Sequence, residues 1–249
     1  MAITIVGTPQ VGSAANGADV TLTFSTTPSE NDVVIVFGGH SFTFGGATTA
    51  PGTGYTQIGL YSNGGTLYFG AWYKRMGASP DSSVVCKGSG LSTDSTAYGC
   101  YVLRGVDTTT AMDATATTAG PSLSTNPDAA SITTVTNNAW VIPVAGSRVN
   151  DAAITAPSGY SNHYTIAQTD SASITVAGAT LEKTTAGAEN PASWTNWASG
   201  SWYAITIAVR PASGGWANIG KINGIASASI AKVDGVAVAS ISKVNGVAV

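Results

Sequence analysis

An all-β sandwich is the fold class this sequence predicts, and three observations predict it. The chain is poor in the helix formers Leu, Glu and Lys, and it carries Val, Ile, Thr, Tyr and Trp in short runs punctuated by Gly, Pro, Asn and Asp, which is strand-and-turn chemistry. Those runs either alternate in polarity or are continuously apolar over about four to eight residues, the two signatures of half-buried and fully buried strands. The chain also repeats itself. Ala50-Pro51-Gly52-Thr53-Gly54-Tyr55-Thr56 recurs as Ala156-Pro157-Ser158-Gly159-Tyr160-Ser161, Asp32 to Gly38 is echoed by Asn138 to Gly146, and Tyr101-Val102-Leu103-Arg104 by Ile207-Ala208-Val209-Arg210. All three echoes fall at nearly one offset, so residues 1–107 and 108–212 read as two similar halves. Two such halves predict two packed sheets, a jelly-roll-like β-sandwich with internal pseudo-duplication.

The elements follow in order. Thr21-Leu22-Thr23-Phe24 and Ser131-Ile132-Thr133-Thr134-Val135 alternate as strands with one wet face. Val33 to Phe37 is a continuous apolar run and reads as a central strand buried on both faces. Leu67 to Lys74 and Tyr203 to Val209 are the strongest strand signals in the chain. Cys86 and Cys100 flank the turn-rich stretch Lys87 to Tyr98. If the flanks pair as a hairpin the thiols face each other and a disulfide becomes feasible; the alternative is two buried free thiols.

Charge and composition exclude several function classes. Only 9% of the residues are charged and the net charge is −3, against about 25% charged in ordinary domains. Ser, Thr and Gly therefore do much of the solvating. No apolar run approaches the roughly 18 residues of a membrane helix, and six Lys and four Arg spread over the whole length form no nucleic-acid patch. Met1-Ala2-Ile3-Thr4-Ile5-Val6 runs straight into a strand pattern with no secretory leader, which predicts synthesis in a cytoplasm.

Catalytic signals are few. Of the three Glu (Glu30, Glu182, Glu189), Glu30 and Glu189 sit in loop-like sequence and read as turn acids, and His40 and His163 have no second ligand at metal spacing. No nucleophile elbow, phosphate loop, dinucleotide fingerprint or calcium loop is written in the chain. The expectation is no enzyme activity, no catalytic residue, no cofactor and no metal. Ser193 to Tyr203 places Trp194, Trp197 and Trp202 in a Gly/Ser-rich stretch. Trp194 and Trp197 are the candidates for stacking on sugar faces, against the plainer reading that such rings fill the core.

Beyond the Gly-rich link at 213–218, residues 219–249 form an 11-residue repeat. Ile219-Gly-Lys-Ile-Asn-Gly-Ile-Ala-Ser-Ala-Ser229 is followed by Ile230-Ala-Lys-Val-Asp-Gly-Val-Ala-Val-Ala-Ser240 and Ile241-Ser-Lys-Val-Asn-Gly-Val-Ala-Val249. Asn-Gly or Asp-Gly between β-branched residues is a hairpin signal, because both turn positions need positive φ. Each repeat therefore turns at 223–224, 234–235 or 245–246. Strands this short build no core of their own. The stripe Ile219, Ile222, Ile225, Ile230, Val233, Val236, Ile241, Val244 and Val247 asks for a partner surface, so these residues are the candidates for self-association.

The order of strands and turns from Asn31 to Val36, Ala50 to Tyr55, Trp72 to Lys74, Tyr101 to Asp107 and Ile205 to Pro211 resembles β-sandwich domains of bacteriophage virion proteins. The Lys-Val-Asn-Gly-Val-Ala repeat is similar to the C-terminal repeats of phage structural proteins. The resemblance implies a capsid-decoration or tail-fiber type of protein in the virion, partnered by itself and by other virion proteins. A homotrimer is implied by resemblance to fibres. Two other functions fit the same sequence: adhesion to host surface glycans through the Trp loop, and an extracellular bacterial filament subunit.

Overall fold

The computed structural model describes residues 2–41, 51–62, 67–151, 153–170 and 172–212, together with the backbone of six two-residue strands in the tail. No helix occurs among the described residues, and every named strand pairing is antiparallel. The first half contributes β1 (Thr4–Ile5), β2 (Gln10–Ala14), β3 (Val20–Thr23), β4 (Val33–Ser41), β5 (Thr56–Ser62), β6 (Leu67–Arg75), β7 (Ser83–Cys86) and β8 (Thr96–Arg104). The second contributes β9 (Met112–Ser124), β10 (Ile132–Thr134), β11 (Ala139–Ser147), β12 (Ser161–Gln168), β13 (Ile174–Lys183), β14 (Gly187–Glu189) and β15 (Gly200–Val209).

Each half is a nested hairpin. In the first, β2 pairs with β8, β3 with β7 and β4 with β6, while β5 returns along the outside of β6. In the second, β9 pairs with β15, β10 with β14 and β11 with β13, while β12 returns along β13. Cross-links between β4 and β8 and between β11 and β15 close each large sheet. The sheet orders are then β1/β2, β8, β4, β6, β5 and β9, β15, β11, β13, β12. They coincide position for position, and Val33 opens β4 where Ala139, 106 residues later, opens β11.

The two large sheets pack face to face with the halves reversed: β12 lies against β2 and β8, β11 against β4, and β15 against β6 and β5. Side chains alternate across a strand, so the two faces of β4 feed two different cores. Val33, Ile35 and Phe37 enter the central core with Leu103, Ile142, Val144, Val176, Ile205 and Ile207. Val34 and Val36 enter an outer core with Leu22, Tyr68, Trp72, Val84 and Tyr98, roofed by β3 and β7. A strand feeding two cores must be apolar on both faces, which is why Val33 to Phe37 shows no alternation.

Aromatic rings facing glycines key the central interface. Phe37 pairs with Gly99 in its own sheet, and Tyr164 pairs with Gly178 in the other. The Phe37 ring lies where a Cβ of Gly178 would stand, Tyr164 lies where a Cβ of Gly99 would stand, and the two rings stack with centroids 5.4 Å apart. Phe69 fills the corresponding space over Gly146. Glycine is unfavourable within a strand unless another group approaches closely, and here that group is a ring from the opposite sheet.

Candidate functional site

The sequence points to three places where function could reside: the titratable groups, the Trp loop and the repeat tail. The acids are engaged in structure. Asp32, buried at the entry to β4, accepts from Arg104 Nε at 2.9 Å and Nη2 at 2.7 Å and from the Ser29 N–H at 2.7 Å. Asp113 on β9, also buried, accepts from the Val135 N–H and the Thr136 hydroxyl, each at 2.7 Å, and from Arg210 Nε at 3.3 Å. Glu189 accepts from Tyr160 Oη at 3.2 Å and pairs with Lys183 at 3.1 Å, while Glu30 and Glu182 lie at the surface. His40 is buried on β4, its ring 4.9 Å from that of Tyr68, and burial pulls its pKa below the ordinary value. His163 stands on β12 in the other sheet, where it contacts Thr165 and where desolvation lowers its pKa. Among the described residues no group of three or more His, Cys, Asp or Glu is placed to hold a metal ion.

Trp194 and Trp197 correct the sugar-stacking reading and follow the plainer one: neither ring is offered to a ligand. Trp194 is 0% and Trp197 3% exposed, and their rings meet edge to face at 6.3 Å. The physical reason lies beneath them. The outer face of the second sheet is floored by Ala145, Ala177, Ala179 and Ala204, so large rings are needed to fill the space above it. The segment is fastened by Trp194 N–H to Pro127 O, by the Thr155–Thr195 bridge, and by the Ala198 N–H to Asp151. Trp202 completes the same core and donates its Nε1–H to Ser124 Oγ at 2.8 Å.

Cys86 and Cys100 decide between the two readings left open: the hairpin with its disulfide is not formed, and the alternative of two buried free thiols holds. They are not neighbours on a hairpin: β7 pairs with β3, and β8 pairs with β2 and β4. Both thiols are free and buried in the outer core of the first half. Burial pushes the Cys100 thiol up to about 12 and raises that of Cys86 further. Thiols held in this form are inert packing groups.

The tail shows one motif three times. Its strands are β16 (Lys221–Ile222), β17 (Ile225–Ala226), β18 (Lys232–Val233), β19 (Val236–Ala237), β20 (Lys243–Val244) and β21 (Val247–Ala248). Ile222 stands opposite Ile225, Val233 opposite Val236 and Val244 opposite Val247, with Lys opposite Ala next in each ladder. Two residues separate the strands of each pair, the hairpin spacing that Asn-Gly and Asp-Gly favour. Ile219, Ile230 and Ile241, the turn residues themselves and all side chains of the tail lie outside the described residues.

Sequence reasoning missed the reciprocal ring-and-glycine interface and the anchoring role of Asp113. Only the placing of both sheets reveals either. No protein-family model, curated protein or solved structure matches this chain.

Proposed function

We propose that this chain is a non-enzymatic structural protein of a bacteriophage particle, a capsid-decoration or fibre-like protein that assembles through its C-terminal repeats. The observation that carries the reading is the tail: three hairpins in identical register at 11-residue intervals, each with a ladder of two pairs. A lone two-stranded hairpin is marginal in water even when longer than this, and eleven of the 31 residues from 219 to 249 are Ile or Val. Such a segment gains its stability from contact with further chains. Among the described residues, the four buried clusters of the sandwich run from Ile3 to Val209. The strand-and-turn resemblance to virion sandwiches supports the location, and the resemblance to fibres makes a trimer the expected state.

Deleting residues 216–249 tests the reading. The truncated protein is expected to keep its β circular-dichroism spectrum, to fall to monomer mass by light scattering, and to be lost from purified particles. Particles that still incorporate the truncated chain would show that the sandwich makes the contacts.

A further inference from the structure

The four rims of the two large sheets share a property that the interior strands lack. Inside the sheets the ladders between β4 and β6, β4 and β8, β11 and β13, and β11 and β15 run without a register shift. Every shift falls on a rim. On β5 one extra residue enters between Gln57 and Gly59, and on β12 one enters between Ser161 and Tyr164. On β9 the ladder to β15 shifts three times. The fourth rim is broken outright: Ile5 pairs with Leu103 and Gln10 with Cys100, so four residues including Pro9 span two positions of β8. The strands β3, β7, β10 and β14, which lie outside the large sheets, are only three or four residues long.

Short strands, bulges and prolines are the means by which natural sheets refuse an added strand, and charged side chains are the other. This chain uses almost none of the latter. β1, β2, β5 and β12 hold no Lys, Arg, Asp or Glu, and the single acid on β9 is the buried Asp113. Among the described residues the faces offer no alternative. The exposed large hydrophobics among the described residues are Val11 on β2, Val85 on β7, Leu123 on β9 and Val135 just past β10, one to an element.

We infer that the tail of one copy takes the tail of a second copy as its partner, and that the sheet edges of the sandwich accept no strand. The inference rests on the reading of the tail as the assembly segment and says what that segment grips. The repeats pair in one backbone register, so a second copy brings the same three ladders at the same 11-residue spacing. The rival is a tail laid along a neighbour's sandwich. Electrostatics would favour the rival, since the tail carries three Lys and one Asp while most acids lie in the sandwich. It requires an open, regular edge, and the irregular rims provide none.

A mixing experiment separates the two. An epitope-tagged full-length chain carrying Ile222→Asp, Val233→Asp and Val244→Asp is co-expressed with the untagged natural chain. The natural chain is expected to form a species of integral multiple mass by light scattering. The tagged variant is expected to run at single-chain mass, with an unchanged thermal midpoint, and to capture the natural chain only at background level. Capture of the natural chain by the folded variant would overturn the inference, because a sandwich without a working tail would then be receiving a tail. A natural chain that is monomeric alone would overturn it as well. Tails that pair while the protein stays absent from particles would leave the inference standing and sink the virion reading.

Discussion

The two halves share one strand order and fill their outer cores in opposite ways. In the first half the sheet supplies the bulk, with Tyr68, Trp72 and Tyr98 under a roof of Leu22, Val84 and Cys86. In the second the sheet supplies alanines, and the volume arrives from a loop as Trp194 and Trp197. The terminal arginines diverge similarly. Arg104 is gripped by Asp32 at the entry to β4, but the equivalent of Asp32 is Asn138, and Arg210 turns to Asp113 on β9. A nested hairpin thus requires that each space be filled and each buried charge be met, and it leaves open which element does so.

The largest expected effect tests the exchange of volume. Trp194→Ala should cost about 3–5 kcal/mol, because alanines on three strands cannot collapse into the gap. Ala177→Leu alone should overpack the same core by about 1–3 kcal/mol. Combined, the two substitutions should lose less than their sum in urea unfolding. Strict additivity would mean that floor and cover do not share a space.

Next come the arginine anchors. Asp113→Ala strips partners from the Val135 and Thr136 N–H groups as well as from Arg210, and should cost about 3–5 kcal/mol. Asp32→Ala leaves a half-exposed Arg104 that water can solvate, so the loss should be smaller, about 1–3 kcal/mol. Equal losses in denaturant titrations would show that the two anchors are interchangeable.

The smallest effect contrasts the histidines. His40 has a folded pKa below its ordinary 6.5 because burial disfavours the cation. The unfolded chain therefore takes up the proton first, so the stability is complete above about pH 6.5 and declines as pH falls below it. Asp19 does not confuse the window, since its carboxyl is held low by Lys87 and stays ionised there. Thermal midpoints should drop between about pH 7.5 and pH 5.5. His40→Gln should flatten that slope, whereas His163→Gln, on a less buried ring, should leave most of it.

These contrasts also mark what could be read from the sequence. The strands β4, β6 and β15 were legible because each is an apolar run that no loop could expose. β9 was not, because Ala, Thr and Gly from 112 to 124 carry no period, and only the ladder to β15 makes them a strand. The hairpin that would have joined Cys86 to Cys100 is not formed, for a related reason. Local sequence marks a turn, but nesting sends the two flanks to partners more than 60 residues away in one case and about 90 in the other. Trp194 and Trp197 were visible as candidates, yet their role depends on alanines scattered over β11, β13 and β15. In the tail, the spacing of Asn-Gly and Asp-Gly agrees with the pairing of the six described two-residue strands.

The irregular rims bear on the conditions under which such a protein can work. A rim guarded by lysines repels its neighbours through a field that falls off over about 10 Å at 0.1 M salt and over about 3 Å at 1 M. A bulge is a fact of backbone geometry, and neither counterions nor protons weaken it. With so few charges to screen, this sandwich should resist edge-to-edge sticking as well in brine as in fresh water, and at high local density as well as in dilution.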